Sequence, residues 1–228
     1  MGGTLSVRAL VARFLLLAVI TDGILYGVAG RLHWLGGTLF SIVYFGFLAV
    51  MLVWGKRHAL DLLEERSRRA GNVKAWDRVL LAIYTVLLVG LLVVGALDGG
   101  RFRWSRVTLP LVLLGTAGFA AVLAWIWWAA SVNAYLSRWA RIQDYRGHRV
   151  ADRGPYRYVR HPMYAAFLPG VVCVSLVLES WWALVPGVLI VVVFVIRTVL
   201  EDRMLLEELA GYKEYSQAVR YRLLPGIW

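Results

Sequence analysis

Long apolar runs separated by short polar segments set the plan of this chain. The first extends from about Val11 to Ala29, the second from Trp34 to Trp54, the third from about Val79 to Leu97 and the fourth from about Leu109 to Ala130. A fifth follows from Met163 to about Leu178; Glu179-Ser180 then returns briefly to water, and Trp181-Trp182 opens a sixth that reaches Leu200. These runs lie near the ~20 apolar residues that a helix needs to cross a bilayer. The pattern predicts an all-α, polytopic transmembrane helix bundle of about six spans. Five would remain if the fifth or sixth run is re-entrant, or if the first is processed. Arg8, Arg13, the apolar core and Val28-Ala29-Gly30 do fit a signal peptide, but the second span starts almost at once, which favours a retained helix.

The polar segments add amphipathic surface elements. Between Lys56 and Arg78, Leu60, Leu62 and Leu63 among flanking charges predict a short helix lying on the membrane and ended by Gly71-Asn72. Glu64 and Glu65 beside Arg66, Arg68 and Arg69 read as a solvated, self-neutralising face rather than a pair of catalytic acids. Asp98-Gly99-Gly100 is a turn signal, and Trp104 together with Trp125, Trp127 and Trp128 belongs at the membrane boundaries. The tail from Glu201 predicts a charged amphipathic helix with Leu205, Leu206 and Leu209 on one face. Asp22 lies inside the first span; the reading favoured over a functional carboxylate is a hydrogen bond between helices. Gly23 and Gly27 could allow close helix contact there.

Composition agrees with the bilayer as solvent: 60% of the 228 residues are hydrophobic against 17% charged, with a mean hydropathy of +0.66. A net charge of +11 would raise nucleic-acid binding in a soluble protein. Here the basic residues sit in the linkers after spans two and four, and no nucleic-acid partner is expected. The opposite linkers hold only Arg31, Arg101, Arg103 and Arg106. The positive-inside rule then places both termini in the cytoplasm, with an even span count. Cys173, the single cysteine, is expected to pack rather than react, and the isolated His33 and His58 are not ligands; no metal site is expected. Lysine is confined to Lys56, Lys74 and Lys213, a bias of GC-rich bacterial genomes that points to a bacterial inner membrane.

The least membrane-like stretch is GHRVADRGPYRYVRHPMY, residues 147–164, which crowds arginines, histidines, tyrosines and prolines ahead of the fifth run. Pro155 is expected to hold Gly154 extended, so that Tyr156 and Tyr158 project to one side. Pro162 suits the first residue of a helix, with His161 at its cap. Arg160, the free N–H groups after Pro162 and the tyrosine rings would then converge at the cytoplasmic mouth of the bundle. Arg197 and Glu201 share a helix face, and Glu201-Asp202 stand where the sixth run leaves the membrane. Both hairpin ends emerge on one side, so one cluster offers cationic donors and the other offers acceptors. An amino acid attached to a nucleoside would satisfy both.

GHRVADRGPYRYVRHPMYAA, the R-x-x-x-E-D hairpin end and LLEELAGYKEY…YRLLPGIW resemble the isoprenylcysteine carboxyl methyltransferase family and the related phospholipid N-methyltransferases. The likeness is strongest over residues 133–228, and Ala75-Trp76-Asp77-Arg78 also resembles bacterial members. It implies a scaffold of spans over residues 1–130 and a catalytic, S-adenosylmethionine-binding half over 131–228. His148, Val150, Gly154, Pro155, Tyr156, Tyr158, Arg160, His161, Pro162, Tyr164, Glu201 and Asp202 are the implied cofactor-binding residues. The family usually has Glu-Glu at 201–202, and often a Gly where this chain has Ala166.

The implied reaction is an in-line displacement on an activated methyl group, in which placement and water exclusion contribute roughly 7–11 kcal/mol. The acceptor is expected from the bilayer: an isoprenylcysteine-like carboxylate, a phospholipid amine or a small thiol. A carboxylate needs only alignment by an arginine such as Arg160; an amine or thiol needs a base, for which His161 and Tyr164 are the candidates. Two other classes stay open. Membrane sterol reductases, which bind NADPH, share an Arg-His-Pro motif and a similar tail, although an acidic residue usually follows where this chain reads Ala165-Ala166-Phe167. A non-catalytic membrane scaffold is the other.

Overall fold

The computed structural model describes residues 7–58 and 73–228, and among these the regular structure is entirely helical. Helices α1 (Val7–Ala29) and α2 (Leu35–His58) form the first hairpin. Helix α3 (Ala75–Gly95) widens into a π turn over Ala96–Phe102, and α4 (Leu109–Val132) starts with a proline in its first turn. A four-residue turn of helix, α5 (Pro162–Ala165), is followed directly by α6 (Phe167–Val177). Helix α7 (Leu184–Glu208) and the short α8 (Tyr212–Ala218) complete the order. Val19, Ile42, Val86, Leu114 and Val188 are exposed along these helices, the surface of a protein dissolved in lipid rather than water.

Five helices are long and apolar enough to cross a membrane: Ala9–Ala29, Leu35–Gly55, Ala75–Phe102, Leu109–Val132 and Leu184–Glu208. The fifth apolar run is shorter, Pro162–Val177, and α5 and α6 meet end to end at Ala166. The sixth run does not end at Leu200; α7 continues through the charged residues to Glu208, and Gly211 (φ +80°) turns the chain into α8. The tail is therefore two helical pieces, with Leu209 buried and Leu206 exposed rather than on one common face. The amphipathic helix expected between Lys56 and Arg78, with Glu64 and Glu65, falls mostly outside the described residues.

Close backbone approach holds the bundle. The added Cβ of an alanine at Gly115 would lie 2.5 Å from Leu176, and one at Gly118 would lie 2.7 Å from the Cys173 sulfur, so α4 and α6 touch along a seam of small residues. Cys173 thus packs, as expected. At the end away from the polar motif, the π turn buries Asp98, whose carboxylate accepts from the Ser105 N–H (2.7 Å), the Ser105 hydroxyl (2.5 Å) and the Ser180 hydroxyl (2.6 Å). The Arg31 guanidinium donates to the Gly99 carbonyl and the Gly36 N–H to Glu179, so the first hairpin is stitched to the last. Asp22 accepts from Ser41 at 2.7 Å, the interhelical bond favoured for it. A Cβ at Gly23 or Gly27 would meet nothing within 4 Å, so no close contact forms there among the described residues.

These surroundings separate two glycines. A Cβ at Gly99 would meet the Leu178 carbonyl oxygen at 2.0 Å, and backbone cannot swing aside. Gly99→Ala is expected to destabilise the protein by about 1–3 kcal/mol, whereas Gly23→Ala should be neutral or stabilising by up to ~1 kcal/mol. Thermal unfolding of both variants in detergent checks the contrast.

Candidate functional site

The segment 133–161 folds as a compact loop rather than an extended one, and a buried glutamine organises it. The Gln143 side chain donates to the Tyr135 carbonyl and accepts from Arg146 at 3.0 Å. The Gln143 N–H donates to His148 Nδ1 at 3.3 Å, and the Tyr135 hydroxyl donates to the Gly147 carbonyl at 2.8 Å. Asn133, the C-cap of α4, donates from its side chain to the Tyr156 hydroxyl at 3.0 Å. Gly154 takes φ +57°, not the extended form, and a Cβ there would lie 3.1 Å from the Trp128 indole nitrogen. A 3-10 turn over Gly154–Arg157 follows. That turn sends Tyr156 inward while Tyr158 stays exposed, so the two rings do not share a side.

Two buried ion pairs fix this loop to the bundle. Arg197 of α7 donates to Asp77 of α3 at 2.8 Å and to the Arg138 carbonyl at 2.9 Å, while Asp77 accepts from the Ala140 N–H at 2.8 Å. Arg160 reaches Asp202 with two parallel bonds, Nε to Oδ1 at 2.9 Å and Nη2 to Oδ2 at 3.0 Å. The pairs are nearly free of solvent, with side-chain exposures of 6% and 0% in the first and 7% and 1% in the second.

Between them lies a half-open cleft whose enclosed part is about 100 Å³. Of the residues singled out in the sequence, His148, Val150, Tyr156, Arg160, His161, Pro162, Tyr164 and Glu201 line it. Gly154, Pro155, Tyr158 and Asp202 do not line it: the first two shape the turn, Tyr158 faces outward, and Asp202 is turned into the protein. Asp202 has no lone pair to offer a ligand, since Arg160, Arg222, Tyr212 and His161 surround it. Arg160 is held on its other side too: Nη1 donates to the carbonyls of Ser216, Val219 and Arg220 at 3.0–3.3 Å. Arg160 is therefore a clamp as well as a residue of the cleft wall. Ala166, with φ −65°, sits in a conformation open to any residue, so it replaces the family's usual glycine without strain.

Glu201, by contrast, is directed at the cleft and is the single carboxylate among its lining residues. It accepts the Tyr164 hydroxyl at 2.5 Å. The Tyr164 ring lies parallel to His161 (centroids 5.6 Å apart) and 5.1 Å from the Arg197 guanidinium, so its position is fixed from several sides. Tyr135, Trp139, Tyr156, Tyr212 and Tyr215 complete an aromatic lining. Burial, then the neighbouring Asp202 charge, pushes the Tyr212 hydroxyl well above its ordinary range, so it stays protonated and donates. Sequence reasoning passed over Asp77, Gln143, Tyr212, Tyr215 and Arg222. The tyrosines at 212 and 215, three apart at the start of a helix, and the Asp77 segment carried the available signal.

Residues 113–210 match the phospholipid methyltransferase family, which bears out over that span the resemblance drawn from the motif string. No curated protein matches the chain.

His148 gives the loop a pH dependence. Burial depresses its pKa below the ordinary 6.5, opposed by Asp144, reinforced by Arg146 and opposed again by Glu201. The neutral ring accepts the Gln143 N–H, and the protonated ring cannot. A histidine depressed in the folded state contributes stability that is intact above 6.5 and is lost as pH falls from there towards the folded value. His148→Gln keeps an acceptor without a titration, so its melting temperature should fall less steeply below that pH than the wild type's.

Proposed function

We propose that this chain is an integral membrane methyltransferase that uses S-adenosylmethionine and methylates a lipophilic acceptor, with its cleft on the cytoplasmic side. The observation that carries the reading is the cleft's chemistry. One carboxylate, Glu201, stands among six aromatic rings, and it and four of those rings (Tyr135, Trp139, Tyr156 and Tyr164) fall within the family match. Aromatic faces and a carboxylate together favour a compact organic cation such as a sulfonium or ammonium group. The enclosed 100 Å³ accommodates only part of a nucleoside-linked amino acid. An adjoining open hollow of about 780 Å³ shares His148, Arg149, Val150 and Tyr215 with the cleft and extends the space available.

Bound there, S-adenosylmethionine would supply a methyl group already activated for displacement. The protein's part is placement. Glu201 and the aromatic rings hold positive charge, Tyr164 is locked by Glu201 and His161, and Met204, Leu205 and Leu209 keep one wall apolar. Such fixed geometry supplies the orientation that a displacement reaction needs. The positive-inside bias supports a cytoplasmic mouth, where a polar cofactor is found, while the acceptor's apolar part stays in the bilayer. The acceptor classes remain an isoprenylcysteine-like carboxylate, a phospholipid amine or a small thiol.

Calorimetry in detergent tests the proposal with S-adenosylhomocysteine against NADPH. The first is expected to bind and the second not; the reverse would establish a reductase, and silence from both a scaffold. Glu201→Gln should weaken S-adenosylhomocysteine by at least about tenfold, roughly 1.4 kcal/mol. Label transferred from S-adenosylmethionine into a total lipid extract would then identify the acceptor.

A further inference from the structure

Glu201 and Asp202 are neighbours on α7, and successive helical residues point about 100° apart. Glu201 faces the cleft; Asp202, 1% exposed, faces the seam between the 158–161 turn, α8 and the segment 219–223. Its two oxygens gather contacts from three parts of the chain. Oδ1 accepts from Arg160 Nε (2.9 Å) and the Tyr212 hydroxyl (2.8 Å) and lies 3.3 Å from His161 Nε2. Oδ2 accepts from Arg160 Nη2 (3.0 Å) and Arg222 Nε (2.9 Å). The backbone runs in parallel with this: the Arg160 N–H donates to the Tyr221 carbonyl and the His161 N–H to the Arg222 carbonyl, both at 2.9 Å.

We propose that Asp202 is a positioning residue and that Arg222, which does not line the cleft, belongs to the functional site through it. His161 and Tyr212 line the cleft and both touch Asp202. Arg222 supplies a second guanidinium to Oδ2, which otherwise accepts from Arg160 Nη2 alone, whereas Oδ1 already has Arg160, Tyr212 and His161 around it. It also braces the 221–222 backbone against residues 160–161, and its own guanidinium lies 5.2 Å from the Trp228 ring. Removing Arg222 loosens the two cleft-lining side chains together without removing any group that a ligand touches. The proposal rests on the reading of the cleft as an S-adenosylmethionine site only for its ligand readout.

The Arg222 side chain is 33% exposed, so a small guanidinium can enter the space that its removal leaves. In Arg222→Ala, amide hydrogen exchange should rise together in residues 158–164 and 212–222, and S-adenosylhomocysteine should bind about tenfold more weakly. Low concentrations of ethylguanidinium should reverse both effects, a response that a general loss of stability would not show. Arg222→Lys, which keeps the charge, should fall between the two and serves if the alanine variant fails to fold. Unchanged exchange in either segment, or exchange that ethylguanidinium does not restore, overturns the proposal. Should the wild type bind no S-adenosylhomocysteine, the proposed function fails while the exchange arm still decides the role of Arg222.

Discussion

A carboxylate removed from water must be met on both oxygens, and the C-terminal half of α7 is arranged around two that are. Asp77 and Asp202 are 0% and 1% exposed, and each is paired with an arginine from a distant part of the sequence. Buried pairs of this kind are weak sources of net stability, because desolvation offsets most of the attraction. Their effect is on geometry: leaving either member unpartnered is so costly that the loop, α8 and the segment after it have one acceptable placement. The cleft exists because those placements leave a gap between the two clamps, with Glu201 pointing into it.

The helices were legible because bilayer physics writes them plainly. Apolar run length and the charge of the linkers predicted a polytopic bundle, and the motif before α5 and the acidic end of α7 do meet. The number of crossings was harder, for a physical reason. Helix α6 is an 11-residue piece largely enclosed by α4 and α7. A helix shielded by its neighbours need not match the bilayer's thickness, so run length is a poor guide to it.

The roles of individual residues were less legible than their neighbourhood. Gly154 looked extended ahead of a proline, yet a positive φ at glycine satisfies the same steric restriction and lets Trp128 close over it. Arg160 and Asp202 looked like ligand-binding groups because charge at a membrane mouth usually faces a ligand; they turn to each other, and of the two Arg160 alone lines the cleft. Nothing in local sequence reveals which of two adjacent acids faces inward. That depends on the rotation of α7, which Arg197 and Asp77 set from five residues away and across the bundle. Gln143 carried no signal at all, since a buried amide is defined by the carbonyls and N–H groups that fold around it.

The pairing of residues 160–161 with 221–222 also has a meaning in time. A ribosome makes the motif before α5 long before it makes Arg222, and insertion of the intervening hairpin proceeds between the two events. Until the later segment emerges, Asp202 Oδ2 lacks its bond from Arg222, and the Arg160 and His161 N–H groups lack their carbonyl partners. A nascent chain already threaded through the membrane therefore lacks the backbone anchor of residues 160–161 until residues 221–222 follow.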